Sequence, residues 1–89
     1  SAGLAAAKRA AKYGAKVALA EPAKLGGTCA ARGCIPKKLM VYASEFARQF
    51  EDAVGYGWSK STAQFEWRSL ITAIQQDINH LDAIHAKSL

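Results

Sequence analysis

The chain has 89 residues, 51% of them hydrophobic, with twelve Lys and Arg against seven Asp and Glu for a net charge of +5. That is enough for one small ordered unit and too apolar for a disordered segment. No apolar run approaches the ~20 residues of a membrane span. Two cysteines do not make the dense disulfide framework of a small secreted domain. The basic balance draws anions without choosing between nucleic acid, a membrane surface and a small carboxylated or phosphorylated ligand. The sequence opens Ser-Ala-Gly rather than with Met, so it carries no information on a leader.

In chain order, the Ala-rich run Leu4–Tyr13 predicts a helix that stops at Gly14, a residue suited to a left-handed terminus. Gly3, Ala7, Ala10 and Gly14 fall on one small-residue face, which predicts a close neighbour there. Lys8, Arg9, Lys12 and Lys16 supply the basic residues of this region. Lys16–Glu21, reading KVALAE, predicts a short strand closed by Pro22. A turn at Gly26–Gly27 leads into a helix expected over Thr28–Phe50, with Met40, Ala43, Phe46, Ala47 and Phe50 as its apolar stripe. Val54–Phe65 reads as loop or irregular strand, broken by Gly55 and Gly57. A last helix is expected over Glu66–Ser88, with Trp67, Leu70, Ile71, Ile74, Ile78 and Leu81 on one side.

The order helix, strand, helix, helix offers no second strand to pair the first. A helix with a small face before a strand reads as the latter part of a βαβ unit. In the dinucleotide-binding form of that unit, Gly3 is the third glycine of G-x-G-x-x-G and Glu21 the carboxylate that takes a ribose hydroxyl. The first two glycines would precede Ser1, so the chain reads as a piece of something longer. The alternative is an Ala-rich surface helix followed by a strand ending in a solvated Glu.

Both cysteines lie in LGGTCAARGCIPKK, Leu25 to Lys38, five residues apart. On a regular helix such a pair is about 140° apart. That is too far for a bridge, which wants Cα atoms within ~6.8 Å. Gly33 and Pro36 are the residues able to distort the helix and bring the sulfurs together. Thr28 or Cys29 at a helix start, followed by Lys37 and Lys38, would favour a reactive thiolate. Ordinary buried thiols, a structural bridge and a reversible dithiol–disulfide couple all remain open on these residues. Zinc held by Cys29, Cys34, His80 and His85 is a fourth reading. Against it, 45 residues separate Cys34 from His80 where a compact finger has about 12.

GGTCAARGCIPKK resembles the redox-active signature of the FAD-dependent pyridine nucleotide–disulfide oxidoreductases, G-G-T-C-x4-C-[IV]-P. Within that family it looks most like the glutathione reductase branch, and the likeness runs through SAGLAAAKRAAKYGAKVALAE, KKLMVYASEF, FEDAVGYGW and FEWRSLITAIQQDINHLDAIH. Lys37 separates it from dihydrolipoamide dehydrogenases and mercuric reductases, which usually read P-S-K. Thioredoxin reductases of high molecular weight share P-K-K and are the nearest alternative. The resemblance implies an α/β fold in which residues 1–89 form part of a Rossmann-like FAD-binding domain, a βαβ unit lacking its first strand, with helices following. The NADPH-binding and dimerisation domains lie outside the chain.

The implied activity is NADPH-dependent, FAD-mediated reduction of glutathione disulfide in a cytoplasmic homodimer, with no nucleic-acid or membrane partner. Cys29 and Cys34 are the implied redox disulfide, Cys34 on the flavin side and Cys29 as the thiol that attacks substrate. Ser1, Ala2 and Gly3 are expected near the FAD pyrophosphate, Glu21 at the adenosine ribose, and Thr28, Cys29 and Lys37 near the ring. Lys38 competes with Lys37 for that place. Lys8 is expected near the substrate carboxylates, and His85 stands where many members of the branch carry a pocket-covering Tyr. Its spacing also continues the Ile74, Ile78, Leu81 stripe, which fits a partly buried core histidine. The acid–base histidine of the family comes from the partner subunit, and neither His80 nor His85 matches its motif. No resident metal is implied.

Overall fold

The computed structural model of the chain describes residues 1–60 and 62–89. Among these residues are four α-helices: α1 Ala2–Lys12, α2 Gly27–Arg32, α3 Cys34–Ala53 and α4 Trp67–Lys87. Helix α1 forms from its alanines and stops where expected, at Gly14 with φ +86°. There the N–H of Gly14 donates to the carbonyl of Ala11, and that of Ala15 to Ala10. Both are carbonyls that a helix end leaves open.

The strand expected over Lys16–Glu21 does not form, and no strand occurs among the described residues. The segment is exposed, with Val17 and Leu19 on the side of a cleft that they share with Ala7 and Ala11 of α1. A strand needs a neighbour to take its N–H and C=O groups, and none is present among the described residues. The βαβ unit is therefore not seen among them. The close neighbour expected on the small face of α1 is not met at its two ends, where a Cβ added at Gly3 or Gly14 would meet nothing within 4 Å, while Ala7 between them shares its cleft with Val17 and Leu19.

The single helix expected over Thr28–Phe50 is two helices, divided at Gly33, where φ is −133° and ψ −103°. Pro36 follows in the first turn of α3, where its missing N–H costs no helical bond. Helix α3 ends in a 3-10 turn over Val54–Tyr56 and a left-handed Gly57. The loop expected over Val54–Phe65 includes Ser61, which lies outside the described residues.

Helix α4 starts at Glu66, whose carboxylate accepts from the backbone N–H groups of Arg68 and Ser69. That side chain satisfies two of the donors a helix start leaves open. From α4 come the two buried apolar side chains among the described residues, Ile74 and Ile78, at 5% and 6% exposure. Helix α2 packs against α1, α3 and α4 and so is the hub of the arrangement. The molecule is long, 61 × 24 × 18 Å, with a radius of gyration of 19.1 Å. A compact chain of this length would have about 12 Å. Much apolar surface thus stays uncovered by the chain itself. The α3 stripe of Met40, Phe46 and Phe50 faces a groove of about 510 Å³ whose other side is Phe65, Trp67 and Leu70.

Candidate active site

Cys29 is the third residue of α2 and Cys34 the first of α3. The break at Gly33 turns the chain between them and brings their Cα atoms to 4.7 Å, and the two sulfurs form a disulfide. Gly33 is closely fitted in the turn, where a Cβ would stand 3.2 Å from the carbonyl oxygen of Thr28 and 3.4 Å from the Cα of Cys29. The distortion ascribed to Gly33 in the sequence is therefore the one observed. With both sulfurs bonded to each other, neither offers a thiolate to the zinc reading. Among the described residues no cluster of three or more His, Cys, Asp or Glu is placed to hold a metal.

The approach to the disulfide is a loop gripped from two sides. Gly26 and Gly27 both have left-handed φ, +98° and +79°. A Cβ at Gly26 would run into the imidazole of His85, and one at Gly27 into the main-chain nitrogen of Ser1. The Ser1 hydroxyl donates to the Gly26 carbonyl at 2.8 Å. On the α4 side, Leu25 N–H donates to Asp82 Oδ1 at 2.7 Å, and Lys24 Nζ to Asn79 Oδ1 at 2.6 Å.

These contacts gather several of the expected residues. Ser1, Lys8, Cys29 and His85 line one cleft of about 380 Å³, together with Leu4 and Ile35. Cys34 is not among its walls and stands exposed, whereas Cys29 is half-buried. Lys8 Nζ donates to the hydroxyl of Ser88 at 2.5 Å, tying α1 to the end of α4. His85 is half-buried, and its Nδ1 is buried with no hydrogen-bond partner.

Glu21 and Thr28 meet in a second cleft of about 620 Å³, with Lys24, Gly27, Arg32 and Gln75. One Glu21 oxygen accepts from the N–H of Ala23 at 3.0 Å, leaving the other to a ligand hydroxyl. A carboxylate, a hydroxyl and two cations are the groups a ribose and a pyrophosphate use, so the donor set fits that part of a flavin adenine dinucleotide. Ala2 and Gly3 form the exposed first turn of α1 and line neither cleft. Lys37 lies elsewhere, beside Gly33, Pro36 and Met40 along α3. Lys38 is turned to the ring of Tyr42, 5.5 Å from its centroid.

Asp82 and Asn79 were not legible as site residues. Each is one polar residue in an amphipathic helix, with no motif to mark it.

A family profile described as pyridine nucleotide-disulphide oxidoreductase matches residues 1–88. The chain is 55% identical to a glutathione reductase of Nostoc over all 89 residues, which is 19% of that protein's length. It is 47% identical to a glutathione reductase of Burkholderia cepacia over 98% of the chain and 19% of the relative. A thioredoxin reductase of Plasmodium falciparum is 39% identical over 90% of the chain and 17% of its own length. The chain thus spans about a fifth of the length of the relatives it matches.

Proposed function

The chain belongs to the pyridine nucleotide-disulphide oxidoreductase family, and from that membership we propose that it serves NADPH-dependent reduction of glutathione disulfide. One observation carries the proposal. The Cys29 half of the disulfide lines the same cleft as Lys8 and His85, while Cys34 is not among the walls of that cleft. Relatives named glutathione reductase at 55% and 47% identity, against 39% for thioredoxin reductase, support the choice of substrate.

Glu21 and Thr28, with Lys24 and Arg32 in the same cleft, are the residues that would hold the ribose and pyrophosphate of FAD. Ser1, Ala2, Gly3, Cys29 and Lys37, expected at the cofactor from the family resemblance, lie outside that cleft. When bound, FAD supplies the passage of two electrons from NADPH to the disulfide. The dithiol is then Cys29 and Cys34. Exchange needs one accessible thiolate and one resolving partner. Cys29 in its thiolate form attacks one sulfur of glutathione disulfide, and the first glutathione leaves as a thiolate that takes a proton. Cys34 attacks the Cys29 sulfur of the mixed disulfide, re-forming the Cys29–Cys34 bond and releasing the second glutathione. Cys34 suits the resolving role because it opens the 20-residue helix α3, whose positive end favours a thiolate. Lys8 would draw the substrate carboxylates, and His85 would form the opposite wall.

A homodimer in the cytoplasm, with the proton donor contributed by the partner subunit, completes the proposal. The test is an NADPH-coupled assay of the full-length flavoprotein with glutathione disulfide and, separately, with oxidised thioredoxin. Turnover of glutathione disulfide that vanishes in Cys29→Ser is the expected result. Thioredoxin reduction without it would move the protein to the other branch.

A further inference from the structure

Three successive loop residues meet three positions of α4 spaced three apart. Lys24 Nζ bonds to Asn79 Oδ1, Leu25 N–H bonds to Asp82 Oδ1, and Gly26 lies against the imidazole of His85. The row climbs about 4.5 Å per three residues. Leu25 and Gly26 form a turn, with Gly26 left-handed, and the three contacts hold that turn against α4 at three points.

The three contacts are not equivalent. Lys24 holds on by a long side chain that can swing while its backbone moves. Gly26 meets His85 by van der Waals contact alone. Asp82 takes a main-chain N–H, so the loop cannot shift without breaking that bond. Asp82 and Leu25 are both half-buried, which leaves the N–H poorly compensated by water if the acceptor is removed. Four residues after Leu25 comes Cys29.

We propose that Asp82 is a positioning residue for disulfide exchange: by holding the Leu25 N–H it fixes the loop that sets Cys29 in its cleft. The proposal rests on the reading of Cys29 as the exchanging thiol. It concerns an acceptor atom rather than a charge, so Asn in place of Asp keeps the function.

The test uses the full-length flavoprotein, reduced with dithiothreitol and freed of excess reductant, then mixed with 5,5′-dithiobis(2-nitrobenzoate). Cys29 displaces one thionitrobenzoate, and Cys34 displaces the second as the protein disulfide closes. Asp82→Ala should slow the first release about tenfold, short of the roughly hundredfold that a 1 Å misplacement can cost. Flavin content should match the parent, and Asp82→Asn should restore the rate to within about twofold. A parental rate in Asp82→Ala overturns the proposal, as does an Asp82→Asn rate as slow as that of Asp82→Ala. If Asp82→Ala does not accumulate, Asp82→Glu decides, since it keeps the charge and displaces the acceptor by one methylene. A slowed release at parental flavin content supports the proposal, and an unchanged rate overturns it. This readout needs no glutathione, so a protein inactive on glutathione disulfide that still shows the slowing would sink the proposed substrate and leave the role of Asp82 standing.

Discussion

The imidazole of His85 fills the space that a side chain on Gly26 would need, with Cε1 2.6 Å and Nδ1 2.7 Å from an ideal Cβ. Two demands thus coincide at Gly26: a left-handed backbone, φ +98°, and room for a ring delivered from α4. Either alone selects glycine. Gly26→Ala should destabilise the full-length protein by about 1–3 kcal/mol from the backbone, with the clash added. Adding His85→Ala should recover the clash and leave the backbone penalty. Thermal melts of the two single variants and the double variant measure that coupling. A Gly26→Ala protein as stable as the parent would mean that the ring and the loop do not meet as described.

The two cysteines should separate in their spectroscopy. If Cys34 is the flavin-side thiolate, reduced Cys29→Ser keeps the long-wavelength thiolate–flavin absorbance and loses reduction of glutathione disulfide. Cys34→Ser should lose the band. The opposite assignment of the band would exchange the two roles and contradict the position of Cys29 in the cleft with Lys8 and His85.

Glu66 gives a pH dependence with a defined sign. Its carboxylate is held below the ordinary value of 4.5 by the hydroxyl of Ser69, then by the backbone N–H groups of Arg68 and Ser69. A carboxylate with a depressed folded-state pKa stabilises the fold above its unfolded value, and that contribution fades as pH falls through the folded value. Glu66→Gln should therefore lower stability at neutral pH by a small amount, since the side chain is exposed. The gap to the parent should begin to narrow at about pH 4.5 and close further in acid. Denaturant melts of both proteins across that range test it. A gap that widens on acidification would show that the capping bonds are not made by the ionised form.

Local signals made much of this arrangement legible in the sequence. Gly14 stopped α1, the Ile74–Ile78 spacing marked the buried side of α4, and of Gly33 and Pro36, the two residues able to bend the chain near the cysteines, Gly33 marks the break. What sequence could not supply was partnership. Lys16–Glu21 is a short, mostly small apolar run closed by Pro22, but a strand is made by its neighbour, and the described residues offer none. The thiol expected at a helix start was Cys29, yet breaking the helix at Gly33 gives the start of the longer helix to Cys34. Asp82 acts through a backbone N–H 57 residues away in sequence. No local pattern encodes such a pairing.

Lys8 is where the proposed substrate meets the structure most directly. Glutathione disulfide carries four carboxylates against two amines, so its site wants placed cations rather than a broad basic face. Lys8 lines the cleft beside Cys29. Its ammonium is exposed, however, and already donates to Ser88. A substrate carboxylate must compete with that hydroxyl and with water, which keeps the contact near the strength of an exposed ion pair. Lys8→Ala in the full-length protein should raise KM for glutathione disulfide roughly two- to fivefold, with kcat and flavin content held. Ser88→Ala frees the ammonium and should leave KM equal or slightly lower. Steady-state kinetics on both variants decide the matter: a fall in kcat at constant KM would place Lys8 in the chemistry rather than in binding, and no change in either constant would remove it from the substrate's path.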